Sequence, residues 1–221
     1  MSVVSNYKNL ISNVKSTCKK HNRNFDEINI VAVSKQQEAK KIDLLSSAGH
    51  SCFGENRLDE VLSKWKYIDR KNIKLHFIGA LQSKKVKDII KIFDVIETLD
   101  TESAAEKISM LKNRNLKIPK IYVQINIGEE SQKRGVKPND FSQFLNMCVK
   151  KYNLKISGAM CMPPLDKEPN KYFKDMVYIC RKEKLENISM GMSNDYKEAI
   201  IAGANNIRVG SLVFGERGKK N

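Results

Sequence analysis

Long apolar runs are missing from this chain. No segment approaches the roughly 20 apolar residues of a membrane-spanning helix, and residues 1–20 mix charges with apolar side chains where a secretory signal would carry a continuous hydrophobic stretch. Cysteine is scarce and its spacing carries no motif. Cys18, Cys52, Cys148, Cys161 and Cys180 are far apart, odd in number and form no Cys-x-x-Cys pair, so neither a disulfide framework nor a metal site is expected. These absences predict a protein of the reducing cytoplasm with no membrane segment. Aromatic residues make up only 7% of the chain, which leaves few faces for stacking nucleic-acid bases. No long basic block or arginine-rich arm is present either. The formal net charge is nevertheless +15, from 40 Lys+Arg against 25 Asp+Glu. Spread over the surface, that charge attracts anions: phosphorylated metabolites, nucleic acids or acidic membranes.

What is present is an alternation of short apolar strands and amphipathic helices. The 221 residues, 41% of them hydrophobic, suffice for one substantial core and predict a single domain over residues 1–221. The run from Ile28 to Ser34 is apolar, rich in β-branched residues, without alternation and too short for a typical helix. It predicts a strand buried on both faces, as in a parallel sheet. Lys35 follows at its carboxyl end, the rim where ligands bind in α/β folds. In an apolar-walled mouth, desolvation favours the neutral amine of a lysine, the form that condenses with aldehydes. On this stretch alone, the simpler reading is a solvated lysine opening the next helix.

Tyr7, Leu10, Ile11, Val14 and Cys18 recur at helical spacing and predict an opening amphipathic helix. After the first strand, helices are predicted over 37–48 (stopped by Gly49), 58–67 (with Trp65 as a packing residue), 84–91, 101–113, 138–152, 172–182 and 196–202 (stopped by Gly203). Pro163, Pro164 and Pro169 are expected to break the chain before the 172–182 helix. The intervening strands fall at 51–54, 74–79, 95–99, within 118–127, and at 155–160, 188–190 and 206–209. Eight strand–helix repeats with short connections are the rhythm of a (β/α)8 TIM-type barrel with an extra N-terminal helix. An open doubly wound sheet is the alternative, but no glycine-rich dinucleotide fingerprint follows the first strand.

In such a barrel, three more groups reach strand carboxyl ends: Gly54-Glu55-Asn56, Gly191-Met192-Ser193-Asn194-Asp195, and Arg208-Val209-Gly210-Ser211. Loops after the seventh and eighth strands commonly bind phosphate in barrels. Gly210 lets backbone amides approach closely, Ser193 and Ser211 add hydroxyls, and Ser193 stands where a helix begins. Ser-Asn-Asp before a helix is also an ordinary cap. Taken together, an aldehyde-capturing lysine and a phosphate cup describe a pyridoxal 5′-phosphate (PLP) site.

Val31-Ala32-Val33-Ser34-Lys35, Phe53-Gly54-Glu55-Asn56, the stretch from His76 to Lys84, Ile188 to Ser193, and Arg208 to Ser211 with Phe214-Gly215-Glu216-Arg217 form five ordered motifs. Through them the chain resembles the PLP homeostasis proteins, whose fold is that of the alanine racemase N-terminal domain. The resemblance implies that Lys35 forms a Schiff base with PLP. It makes Ser193, Gly210 and Ser211 the phosphate ligands, sets Arg208 against the pyridine nitrogen, and puts Asn56 near the ring. Arg57 and Asn194 depart from the family pattern of tyrosine and aspartate. An always-charged donor opposite the ring nitrogen favours the unprotonated pyridine, a poor electron sink. Racemisation also needs a second acid/base on the opposite face of the substrate carbon, which the racemases take from an additional domain. The expectation is therefore a monomeric carrier or buffer in intracellular PLP homeostasis, with apo-enzymes as recipients and no robust catalysis. The alternatives are an amino-acid racemase-like enzyme and a basic nucleic-acid-binding protein.

Several residues receive plainer readings. His76, inside an apolar strand, reads as a buried, hydrogen-bonded histidine. Cys161 and Met162 read as packing. Lys133 and Arg134, in a polar loop long enough to move, read as a solvated charged pair, and Lys84, Lys85 and Lys87 as a solvated face.

Overall fold

A computed structural model describes residues 2–215 of the chain. The Glu216-Arg217 end of the fifth motif and the basic tail 218–221 lie outside the described residues. The first half comprises α1 (Val3–Lys20), β1 (Asn29–Val33), α2 (Ala39–Ser47), β2 (Cys52–Glu55), α3 (Leu58–Lys64), β3 (Lys74–Phe77), α4 (Val86–Ile92) and β4 (Val95–Leu99). The second half continues with α5 (Glu102–Asn113), β5 (Lys120–Ile125), α6 (Phe141–Asn146), β6 (Ile156–Cys161), α7 (Pro169–Lys182), β7 (Asn187–Ser189), α8 (Tyr196–Ala202), β8 (Asn206–Val209) and α9 (Ser211–Phe214).

The eight strands are parallel and close into a barrel in sequence order. β8 returns to β1 through the pairs Asn29↔Asn206 to Ala32↔Val209. Such strands bury one face in the barrel interior and the other beneath the helices, which is why β4 and β8 are buried at every residue. α1 is the extra helix. Ser2 caps it by accepting the Ser5 N–H, and its buried face carries Leu10 and Val14, each worth roughly 1.5–3 kcal/mol of burial. The Asn6 side chain donates to the Val213 carbonyl across 3.2 Å, so α1 braces the segment that follows β8.

Three local outcomes differ from the sequence reading. The helix after β1 starts at Ala39 because Gln36 takes a left-handed φ of 60° and Gln37 N–H turns back to the Ser34 carbonyl at 3.1 Å. Pro169 does not break the chain ahead of α7; it opens that helix, where its fixed φ and missing N–H cost nothing. Over 138–152 a 3₁₀ turn, α6 and a π turn share the span read as one helix. No described helix is long and apolar enough to cross a membrane.

Candidate functional site

The carboxyl ends of the strands surround a cavity of about 520 Å3. Lys35 reaches it half-buried from the turn after β1, Ser193 from the loop after β7, and Arg208, Gly210 and Ser211 from the end of β8. Val33, Ile78, Met160 and Met162 supply apolar wall, so Met162 faces the cavity where the sequence reading had it packing. Five of the six selected residues thus meet in one place. Asn56 does not line the cavity. It follows β2 with its backbone pressed against Gly79, where a Cβ would fall 2.0 Å from the Asn56 carbonyl oxygen. Only glycine allows that approach between the ends of β2 and β3.

Local geometry presents the two serine-bearing loops to the cavity. Gly191 has φ 90°, and a Cβ there would lie 2.5 Å from the Ala199 side chain, so the chain turns sharply out of β7 only because this residue is glycine. Asp195 stands at the N-cap of α8, yet its carboxylate accepts the Met192 N–H at 2.6 Å instead of bonding to the helix. Ser193 is therefore not spent as a cap. Its Oγ accepts the Gly210 N–H at 3.4 Å, which ties the loop after β7 to the loop after β8.

Beneath this rim a polar network crosses the barrel interior. Glu97 on β4 is fully buried. Its Oε1 pairs with His76 Nδ1 on β3 at 2.6 Å, and its Oε2 accepts from Ser189 Oγ on β7 at 2.7 Å. Arg208 lies across it, with Nη1 donating to Ser189 Oγ at 2.7 Å and standing 3.7 Å from Glu97 Oε2. Its Nη2 donates to the Cys161 carbonyl at 2.9 Å. Burial works against a charge on His76, but hydrogen bonds to Cys52 and Glu97 outweigh it and carry its pKa up to about 10. Burial likewise opposes ionisation of Glu97. The His76 bond and charge, then Arg208 and Ser189, hold its carboxyl below the usual range. Of this charged triad, His76⁺, Glu97⁻ and Arg208⁺, only Arg208 lines the cavity, and the other two fix where its guanidinium points.

The sequence reading of His76 as a buried, hydrogen-bonded side chain holds. Cys161 packs as expected, with burial pushing its thiol up to about 12, while its carbonyl serves Arg208. Glu97 and Ser189 went unselected. The signal was present, since Glu97 is the one charged residue in the apolar run Val95–Leu99. The reading of Lys133 and Arg134 is corrected. Arg134 makes two 2.8 Å bonds to the buried Asp100 carboxylate, and Lys133 holds the Pro163 carbonyl at 2.9 Å and Glu130 at 2.5 Å. Asn126 and Gln124 bind further backbone of residues 130–134. The loop is anchored by its charges, two of whose partners, Asp100 and Pro163, are distant in sequence.

A family model described as the alanine racemase N-terminal domain matches residues 5–218. A pyridoxal phosphate homeostasis protein of Haemophilus influenzae is 29% identical over 229 residues, covering 98% of this chain and 97% of its own. The structure of PipY from Synechococcus elongatus without PLP superposes with a TM-score of 0.80 at 29% identity, covering 86% of this chain and 94% of PipY. PipY with PLP bound superposes with a TM-score of 0.78 at 27% identity, covering 93% and 100%.

Proposed function

Because the chain belongs to the alanine racemase N-terminal-domain family, we propose that it binds PLP at the mouth of its barrel and serves intracellular PLP homeostasis by holding the cofactor and passing it on. One observation carries the reading: a lysine, two hydroxyls, a glycine and an arginine converge on one cavity. The donor set fits the group. When bound, PLP supplies an aldehyde open to a primary amine and a pyridine ring able to delocalise negative charge. Lys35 would offer the primary amine that condenses with that aldehyde, the carbonyl oxygen leaving as water. Ser193, Ser211 and the Gly210 amide would hold the phosphate, and Arg208 would donate toward the ring nitrogen.

Arg208 also sets the limit of the chemistry. A guanidinium donates and keeps its charge, so it leaves the ring nitrogen unprotonated and the ring a weak electron sink. Carriage, without robust racemisation, follows. The cysteines among the described residues are free and buried, which suits the reducing cytoplasm. We propose a monomer; its exposed large apolar residues, such as Leu44, Leu62, Met110 and Tyr178, are spread over four helices. Apo-enzymes that require PLP are the recipients.

The test is transfer. PLP-loaded protein, freed of unbound cofactor, should restore activity to a PLP-requiring apo-enzyme and show negligible interconversion of L- and D-alanine. Failure to bind PLP would refute the site, and rapid racemisation would refute the carrier role.

A further inference from the structure

The amine of Lys35 can be aimed only as well as the two peptide groups that flank its Cα are held, and both are held by one buried ion cluster on β2 and α3. Lys64, its side chain 7% exposed, directs its ammonium to the Ser34 carbonyl at 2.7 Å, to Glu55 Oε1 at 2.7 Å and to Glu60 Oε1 at 2.8 Å. The ammonium donates hydrogen bonds to Ser34 and Glu60 and forms an ion pair with Glu55. The Ser34 carbonyl belongs to the peptide entering Lys35. The peptide leaving it is gripped by the same cluster, because Glu60 Oε1 accepts the Gln36 N–H. Ser34 Oγ adds a 2.6 Å bond to Glu55.

The grip holds an unfavourable conformation. Gln36 sits at φ 60°, a left-handed setting that a non-glycine residue adopts at a cost and keeps only where its surroundings enforce it. Glu55 is fully buried, and its Oε2 has no hydrogen-bond partner among the described residues. Lys64 therefore supplies the compensating charge for it. Helix α3, which lines no part of the cavity, is tied through this cluster to the turn that presents the reactive amine.

We propose that Lys64, Glu60 and Glu55 are positioning residues that clamp the Ser34–Gln36 backbone and so aim the Lys35 amine at the aldehyde carbon of PLP. This rests on the proposed function. The clamp acts on capture of the aldehyde and not on recognition of the ring or phosphate, which other elements provide.

Removing Lys64 would strand the buried Glu55 charge and could unfold the protein, so the deciding variants are at Glu60, which is partly exposed. Affinities are compared for PLP and for pyridoxamine 5′-phosphate, which shares ring and phosphate but carries an amine in place of the aldehyde. Glu60→Ala should weaken PLP binding about tenfold, the scale of one lost charge-assisted hydrogen bond, and leave pyridoxamine phosphate binding unchanged. Glu60→Gln, which keeps an acceptor oxygen for Gln36, should restore the wild-type ratio. Equal losses for both ligands, or no loss for either, would overturn the clamp while the proposed function stood. A wild-type protein that bound both ligands alike would overturn the proposed function and the clamp with it.

Discussion

His76 Nδ1 lies 2.6 Å from Glu97 Oε1, and both side chains are buried. Arg208 and Ser189 face the same carboxylate from the opposite side of the barrel. The pair makes stability depend on pH with a definite sign. His76 titrates near 10 in the folded protein against 6.5 unfolded, so its contribution is complete below pH 6.5 and is lost as pH rises toward 10. Glu97, held low, contributes above its unfolded pKa of 4.5 and loses that contribution as acid protonates it. Urea unfolding across pH should show stability declining between 6.5 and 10. His76→Gln should flatten that limb.

Glu97→Gln keeps the shape but has one acceptor oxygen where Glu97 has two, removes the charge that holds the proton on His76, and leaves Arg208 buried without its counter-charge. Breaking such a cluster costs about 3–5 kcal/mol. Equilibrium denaturation measures it, and a loss below about 1 kcal/mol, the scale of an exposed pair, would contradict the charged network.

Ser211→Ala and Ser193→Ala should each weaken PLP binding about tenfold, the scale of a lost bond to a charged group. Pyridoxal, which lacks the phosphate, should bind the variants and the wild type equally. A parallel loss for pyridoxal would remove these hydroxyls from the phosphate cup.

Gly191→Ala meets two obstacles at once, a left-handed φ and a Cβ placed 2.5 Å from Ala199. The expected destabilisation is about 2–3 kcal/mol, read as a lowered melting temperature, and it should be accompanied by weakened PLP binding because the Ser193 loop shifts.

Arg134→Ala should free the loop at 128–135 and, because it strands the buried Asp100 carboxylate, cost about 1–3 kcal/mol of stability. Hydrogen exchange localises the effect. Faster exchange at Lys133 and Val136, whose amides bond to Glu130 and Gln124, is the expected result, and unchanged protection would show that Asn126 and Gln124 suffice.

What the sequence disclosed followed from local pattern. β4, α8 and β8 were legible to the residue, because a β-branched run such as Val95–Leu99 and a helix ended by Gly203 announce themselves within a few positions. Eight such repeats then specified a closed barrel, and barrel topology brought Lys35 beside Ser193 and Arg208, residues more than 150 positions apart. Relationships across strands were not legible. Nothing near Arg134 names Asp100 as its partner, and nothing near Lys35 names Lys64. Pro169 misled because proline both breaks helices and opens them, and only the backbone position decides which. The four residues of α9 are too few to carry a periodicity.

The most direct measurement is reduction of the PLP-loaded protein with borohydride, followed by mass mapping of its peptides. A single cofactor-modified peptide containing Lys35, with the visible absorption band and the adduct both lost in Lys35→Ala, is the predicted result. A modification spread over surface lysines, or an adduct that survives Lys35→Ala, would contradict the assignment of Lys35 and with it the account of the barrel mouth.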